Sequence, residues 1–174
     1  MNIRPVLSSD ADELAAPLSE LGAATFAGTF GHLYAPEDLA KFLKERQSED
    51  YYRNAIAAED RHLWVLETDT GALGGYMELR PNDLPCEPPR PDALEFGRLY
   101  FLPEFQGQGW GGQFIEVAIE HARNHSFKEM VLSVFSENIP AQKLYGRHGF
   151  EKIGEYHFKV GDHLDEDWIL LKTL

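Results

Sequence analysis

A glycine-rich loop in the middle of the chain limits the folds open to this sequence more than any other segment does. The loop spans residues 106–112, reads Gln-Gly-Gln-Gly-Trp-Gly-Gly, and lies between an apolar run at 94–102 and an amphipathic run at 109–124. The first run is typical of a strand, and the second has apolar residues at helical spacing. Glycine allows positive φ and close approach of the backbone, and a helix start offers unpaired N–H groups. The segment therefore predicts a strand, a phosphate-binding loop and a helix in succession.

The remaining segments alternate between the two kinds of secondary structure. Predicted strands cover residues 3–7, 62–67, 72–79, 94–102, 128–135, 150–159 and 168–172. Predicted helices cover residues 11–24, 35–47, 51–58, 109–124 and 139–147. Five prolines within residues 81–92 predict an exposed loop inside the domain, because proline supplies no amide donor. Strands and helices alternate in the first part of the chain, and two strands follow each other at its end. This order predicts a mixed sheet with helices on both faces.

Length and composition indicate one folded domain, residues 1–174. The formal net charge of −13 argues against nucleic acid as a partner, because phosphate contacts use Lys and Arg, and it favours a cationic small molecule. An acidic surface also aids solubility, so the charge alone leaves both interpretations open. No apolar run reaches the roughly 18 residues of a membrane span and no leader is evident, so we expect no membrane partner and a cytoplasmic location. A single cysteine, Cys86, excludes an internal disulfide.

Two other kinds of phosphate-binding loop have sequence motifs that can be compared with this loop. A nucleoside-triphosphate loop requires Gly-Lys followed by Ser or Thr, whereas Gly109 is followed by Trp110. A dinucleotide fingerprint lies at the first strand and has an acid about 20 residues later. The glycines at 107, 109 and 112 have its spacing, but they lie in the middle of the chain and residues 130–136 contain no acid. Neither alternative is favoured.

Two segments resemble consecutive motifs of the GNAT (Gcn5-related) N-acetyltransferase superfamily. The first is similar to motif A of that family through Gln106, Gly109 and Gly111. The second follows about 35 residues later and is similar to the next motif through Asn138, Ala141, Tyr145, Gly149 and Phe150. The resemblance covers about residues 62–160. It implies an α+β fold with a mixed, mostly antiparallel central sheet of about six or seven strands and helices on both faces.

The same resemblance implies an enzyme that transfers acetyl from acetyl-CoA to a primary amine by direct attack in a ternary complex. It implies acetyl-CoA as the co-substrate and no metal, and the histidines show no metal-ligand spacing. Because dimers are frequent in that family, it also implies a homodimer. The residues it assigns to acetyl-CoA binding are Leu99, Phe101, Gln106, Gly107, Gln108, Gly109, Trp110, Gly111, Gly112, Asn138 and Tyr145.

Two residues are candidates for proton transfer. Tyr145 is the candidate acid for the departing thiolate, because a phenol titrates near pH 10 and a thiol near pH 8.5. Glu95 stands eleven residues before Gln106, where some members of the family carry a strand glutamate that deprotonates the amine. The alternative for Glu95 is an edge or loop-facing carboxylate. Asn138 is interpreted either as a helix N-cap or as a contact to the pantetheine arm, and the two are compatible.

The acceptor amine is the least constrained part of the prediction. The helical front and the end of the chain resemble a bacterial spermine/spermidine acetyltransferase-like branch, which implies a polyamine. Four acids lie within residues 162–167 and are interpreted either as a site for a polyamine's ammonium groups or as a solvated turn between strands. The alternative functions are acetylation of a protein N-terminus or another small amine, and a non-catalytic acyl-CoA-binding sensor.

Overall fold

The structure is a computed structural model that describes all residues, 1–174. The strands are β1 (Asn2–Pro5), β2 (His62–Glu67), β3 (Leu73–Pro81), β4 (Leu94–Phe101), β5 (Glu129–Phe135), β6 (Glu151–Val160) and β7 (His163–Thr173). The helices are α1 (Ala11–Phe30), α2 (Pro36–Arg46), α3 (Glu49–Ala57), α4 (Trp110–Asn124) and α5 (Ile139–Arg147). None of the helices combines the length and the apolar character that a membrane span requires.

The seven strands form one sheet in the order β1-β2-β3-β4-β5-β7-β6. β1 pairs with β2 and β5 pairs with β7 in antiparallel orientation, whereas β4 and β5 pair in parallel. The parallel pairing joins Leu94 to Met130 and Glu95 to Val131, at the beginning of both strands. The predicted α+β fold with a mostly antiparallel sheet of six or seven strands is confirmed.

The chain divides into two compact units, and the prediction of a single domain stays a prediction. The first unit comprises Met1–Glu78, Arg98–Gln108 and Lys159–His163. Its core is built by α1, α3 and the strands beside them, and its buried members are Leu14, Ala15, Leu18, Leu21, Tyr52, Ala55, Ile56, Leu63, Val65 and Tyr76. The second unit comprises Leu79–Gly97, Gly109–Phe158 and Leu164–Leu174. It contains α4, α5, β5 and most of β6 and β7.

Helix α1 is longer than predicted, because it continues from residue 24 to Phe30. Thr25 and Thr29 lie in the added turns, and each hydroxyl donates to the carbonyl four residues earlier, at 2.7 and 2.8 Å. Gly22 lies inside the helix because a Cβ there would collide with the Tyr52 hydroxyl. Tertiary packing thus accommodates a glycine that usually weakens a helix.

The predicted exposed loop at 81–92 is partly buried, which corrects the prediction for its middle. Cys86 is only 4% exposed and packs with Ala93, Val131 and Ile169 in a small core of the second unit. The Asn82 side-chain amide donates to the Arg90 carbonyl at 2.9 Å and closes the loop on itself. Prolines remove amide donors, but they do not prevent a neighbouring apolar side chain from packing.

The acidic segment near the end of the chain is also corrected, since only Asp162 lies in an exposed turn and the other three acids lie in the strand that follows. β7 begins at His163, five residues before the predicted strand start at Trp168. Asp165 and Asp167 lie within this strand, and both are buried. The Ser136 N–H donates to the Glu166 carbonyl at 2.8 Å, which continues the pairing beyond the end of β5. Strand pairing therefore overrides the turn propensity of these acids.

Candidate active site

The loop at 106–112 has the backbone geometry that its glycines predict. Gly107 and Gly109 adopt φ values of 71° and 87°, and their backbone is exposed. Gly109 is the N-cap of α4 and provides no side-chain cap, and the first helical hydrogen bond runs from the Gln113 N–H to the Gly109 carbonyl at 3.3 Å. The N–H groups of the first helical turn therefore have no acceptor within the helix. The Trp110 indole N–H is a further donor that is buried without a hydrogen-bond partner.

Two glutamine side chains hold the loop in place from within. The Gln106 amide donates to the Phe101 carbonyl at 3.0 Å, and the Gln108 amide donates to the Glu104 carbonyl at 2.5 Å. A Cβ added at Gly107 or Gly109 would meet no atom within 4 Å, so there is open space beside the loop backbone. Exposed N–H groups, a helix start and open space suit a pyrophosphate. The residues present therefore fit coenzyme A at this loop.

The end of β4 lies beyond the strand pairing with β5. Leu99 and Phe101 follow Glu95, the last residue of β4 that pairs with β5, and both are partly exposed. After the strand, the Leu102 N–H donates to the Gly74 carbonyl at 3.0 Å. The interaction of the Leu99 and Phe101 backbone with a pantetheine arm stays a prediction.

Helix α5 has the predicted bounds, and its first residues explain why it starts there. The Asn138 side chain accepts a hydrogen bond from the Ala141 N–H at 3.2 Å, so Asn138 is an N-cap. Tyr145 is 8% exposed, and its ring packs edge-to-face on Phe96 and Phe150 at centroid distances of 6.3 and 5.8 Å. The packing fixes the plane of the Tyr145 ring. A contact from Asn138 to the coenzyme stays a prediction.

Glu95 is buried and engaged by other groups. It is 2% exposed, and its Oε1 accepts from Arg80 Nη2 at 2.5 Å and from Arg80 Nε at 3.0 Å. Its Oε2 accepts from the Asp83 N–H at 2.9 Å. The carboxylate thus contacts the loop that follows β3, as the loop-facing alternative expects, and its role as a base stays a prediction. Both oxygens therefore have donors within the protein, and one of those donors is a cation.

Asp167 is a buried acid that the sequence did not single out as a titrating group. Burial raises the pKa of its carboxyl from the usual 3.8 to about 7, the charge of Asp165 adds to the rise, and a hydrogen bond with the Ser133 hydroxyl acts against it. Asp165, Asp167 and Ile169 alternate along β7 and are all buried, so they share one face. This period of two was the sequence signal that could have revealed the burial of Asp167.

The raised pKa of Asp167 makes the free energy of unfolding depend on pH. Since the folded-state value of about 7 exceeds the ordinary 3.8, the folded protein is favoured below about pH 4 and loses this advantage as the pH rises to about 7. We expect the stability difference between wild type and Asp167→Asn to fall by up to about 1.4 kcal/mol per pH unit in this window. Urea unfolding at a series of pH values measures it, and a flat difference would contradict the prediction.

Comparison with known proteins identifies the family. A model of the Acetyltransferase (GNAT) family matches residues 29–150, more than half of the chain. The chain belongs to the GNAT family. The resemblance predicted from the loop and from α5 is therefore confirmed, and with it the enzyme class, an N-acetyltransferase that uses acetyl-CoA as co-substrate.

Similar GNAT proteins come from several bacteria and an archaeon. An uncharacterized N-acetyltransferase in the pepI 3' region of Lactobacillus delbrueckii subsp. lactis is 36% identical over 150 residues, which are 86% of each chain. The crystal structure of PaiA N-acetyltransferase from Thermoplasma acidophilum in complex with coenzyme A is similar over 100% of both chains, with a TM-score of 0.75 and 20% identity. A probable spermine N(1)-acetyltransferase of Bacillus subtilis subsp. natto is 37% identical over 62 residues, 35% of this chain and 41% of its own. The likeness to a spermine enzyme thus extends over about a third of the chain.

Proposed function

We propose that this GNAT enzyme acetylates a primary amine on a small molecule by direct attack on bound acetyl-CoA. The observation that carries the proposal is the exposed loop in which Gly107 and Gly109 adopt positive φ immediately before an uncapped helix start. That arrangement offers several backbone donors to one anionic group. The coenzyme A complex of the T. acidophilum structure, which shares the fold, supports the same ligand.

In this proposal each part of the chain has a separate task. The N–H groups at residues 107–112 hold the pyrophosphate, and the backbone of Leu99 and Phe101 pairs with the pantetheine arm. Bound acetyl-CoA supplies an acetyl group that is activated as a thioester. Tyr145 provides a hydroxyl that gives a proton to the departing sulfur, and the Asn138 cap fixes the helix from which Tyr145 projects.

The acceptor is proposed from charge and likeness. A polyamine is the first candidate, because the chain has a net charge of −13 and matches the probable spermine N(1)-acetyltransferase over 62 residues. A protein N-terminus is the second, since a ribosomal-protein-alanine N-acetyltransferase from Brucella melitensis has the same fold, with a TM-score of 0.65 at 22% identity. A sensor that binds acetyl-CoA without turnover is the non-catalytic alternative.

An acceptor screen separates these candidates. Acetyl-CoA binding is measured by calorimetry, and release of the coenzyme A thiol is followed with spermine, spermidine, a simple monoamine and a peptide with a free N-terminus. We expect acetyl-CoA to bind and at least one amine to release thiol. Activity with the monoamine or the peptide but not with spermine or spermidine would exclude the polyamine. If acetyl-CoA binds but no acceptor releases thiol, the result would support the non-catalytic sensor.

The loop itself can be tested by a glycine substitution. Gly109→Ala places a side chain at a φ of 87°, which is strained for any L-residue, so the loop must shift its N–H groups away from the pyrophosphate. We expect the Kd for acetyl-CoA to rise by about tenfold or more, as roughly 1–2 kcal/mol of strain implies. Gly71→Ala is the matched control, because Gly71 has a φ of 85° and equally open surroundings in the turn after β2. Equal affinities for the two variants would remove the loop from the binding site.

Two further properties stay proposals: a single folding domain, which length and composition indicate, and a homodimer, which the family resemblance implies. Light scattering of the purified protein measures its mass in solution, and a value near 19.7 kDa would contradict the dimer. A single cooperative unfolding transition seen by both fluorescence and circular dichroism is expected for one domain.

A further inference from the structure

Asp167 differs from two other buried carboxylates in having no basic partner. Glu78 is fully buried and pairs with Arg61 and with Arg98, and Glu95 pairs with Arg80. Asp167 is 8% exposed and forms none of the protein's ion pairs. A buried carboxylate without a cation is unfavourable, because the desolvation of its charge is not offset. The chain therefore holds an anionic group that a cation from outside could pair with.

Strand register shows on which face of the sheet this group lies. Directly opposite residues of paired strands share a face, and so do alternate residues along one strand. Asp167 is opposite Phe135, which shares its face of β5 with Ser133 and Val131. Val131 is in turn opposite Glu95 of β4. Asp167 and Glu95 therefore lie on the same face of the sheet.

The candidate acid lies on the other face. Phe96 follows Glu95 in β4, so its side chain is on the opposite side of the strand. The Tyr145 ring packs edge-to-face on Phe96, which places Tyr145 on that opposite side. The structure thus separates the group proposed to protonate sulfur from the buried carboxylates by the thickness of the sheet. A proton acceptor on the first face would therefore act separately from Tyr145.

The side chain that hydrogen-bonds with Asp167 is a neutral hydroxyl, that of Ser133, and not a cation. The Tyr156 hydroxyl donates to Ser133 Oγ at 3.2 Å, and Ser133 in turn bonds to Asp167. Burial raises the pKa of Tyr156 to about 12, with the Ser133 hydrogen bond acting against the rise and the charges of Asp167 and Glu95 adding to it. Tyr156 is therefore a neutral hydroxyl at neutral pH. The other charged groups that act on this region are Asp165 and Arg80, the latter already paired with Glu95.

We propose that Asp167 receives the ammonium group of the acceptor and takes the proton that the amine must lose before it attacks. The inference rests on the proposed acetyl transfer and names the proton acceptor for it. Asp167 is favoured over Glu95 because Glu95 is already paired with the cation of Arg80, whereas Asp167 has no basic partner. A group that titrates near neutrality can also return its proton to water between turnovers.

The proposed step needs no reactant other than the amine, acetyl-CoA and water. The ammonium gives one proton to Asp167, and the neutral nitrogen then forms a bond to the acetyl carbon as the C–S bond breaks. Tyr145 gives a proton to the departing sulfur and regains one from the nitrogen through water. Asp167 finally releases its proton to solvent. The products are the acetylated amine, coenzyme A and one proton.

The test is the pH profile of kcat/KM for whichever amine the acceptor screen finds best. For wild type we expect a rise with a midpoint near pH 7, where Asp167 ionises. For Asp167→Asn we expect at least a tenfold loss at pH 7, a rise displaced toward the pKa of the amine itself, and an unchanged KM for acetyl-CoA. Glu151→Gln, an exposed acid on β6, is the matched control and should keep the wild-type profile.

A second variant keeps the proposal testable if Asp167→Asn folds poorly. Ser133→Ala removes the hydrogen bond that holds the Asp167 pKa down, so the midpoint of the profile should move upward. A wild-type profile in Asp167→Asn, or an unmoved midpoint in Ser133→Ala, would overturn the assignment while leaving acetyl transfer intact. A wild-type protein that acetylates no amine would instead reject the proposed function and this inference with it.

Discussion

Replacing Tyr145 with phenylalanine should lower kcat for acetyl transfer by roughly 10²- to 10⁴-fold, the usual contribution of general acid catalysis. The Kd for acetyl-CoA should stay within about twofold, because pyrophosphate binding is assigned to backbone donors at another segment. The ring contacts with Phe96 and Phe150 involve carbon atoms that phenylalanine retains, so the fold should be unaffected. Single-turnover thiol release and calorimetric titration measure the two quantities separately.

The control for this substitution is a tyrosine of equal burial. Tyr34 is also 8% exposed, and its ring stacks on Phe26 at a centroid distance of 6.0 Å. Tyr34→Phe removes a hydroxyl from a similar aromatic setting and should retain turnover. If Tyr145→Phe also kept full turnover, Tyr145 would no longer be a candidate acid and the thiolate would leave without its help.

The largest loss of stability is expected for Arg98→Met, at roughly 3–5 kcal/mol, the range measured when one partner of a buried ion pair is removed. Arg98 Nη1 donates to Gln47 Oε1 and to the Tyr52 hydroxyl, both at 2.8 Å, and Nη2 donates to the Arg46 carbonyl at 2.8 Å. Its Nε lies 3.3 Å from Oε2 of the fully buried Glu78. The variant would remove one of the two cations that pair with Glu78 and leave Arg61 as the other. It would also remove a donor from Gln47, whose side-chain oxygen keeps its bond from the Tyr52 hydroxyl.

Urea unfolding of Arg98→Met should be compared with that of Arg53→Met, which removes the same side chain from the surface. Arg53 pairs with Asp12 and Glu49, both of which are exposed, and water and salt screen such pairs so that they contribute little. The two variants differ in the burial of the arginine and not in the chemistry of the substitution. Similar losses in both would mean that the Arg98 contacts add little beyond a surface pair.

The sequence predicted the elements around the loop closely, because their signals are local. The start of α4 lies one residue from its predicted position, and α5 has the predicted bounds. A glycine that needs positive φ and an asparagine that caps the next helix act on their immediate neighbours, so nearby residues suffice to predict them. The same locality made the resemblance to the GNAT family visible at these two segments.

The groups that contact the buried charges could not be predicted, because these contacts join distant parts of the chain. Asp167 is buried by the pairing of β7 with β5, and its acidic neighbours in the sequence suggested a solvated turn. Glu95 was singled out correctly as a strand residue, but its ion pair with Arg80 depends on the path of the intervening loop. Period-two alternation indicates which residues share a face, but it does not reveal which partner lies opposite them.

The glutamines that anchor the glycine loop have a consequence for how such an enzyme can diversify. Gln106 and Gln108 bond to carbonyls five and four residues earlier in the chain, so the shape of the loop is encoded in one short stretch. Substitutions in β7 therefore need not alter the loop that is proposed to bind the coenzyme. In the proposed mechanism the acceptor contacts β7 and the coenzyme contacts the loop, so substitutions in β7 should change amine preference and leave the Kd for acetyl-CoA unchanged.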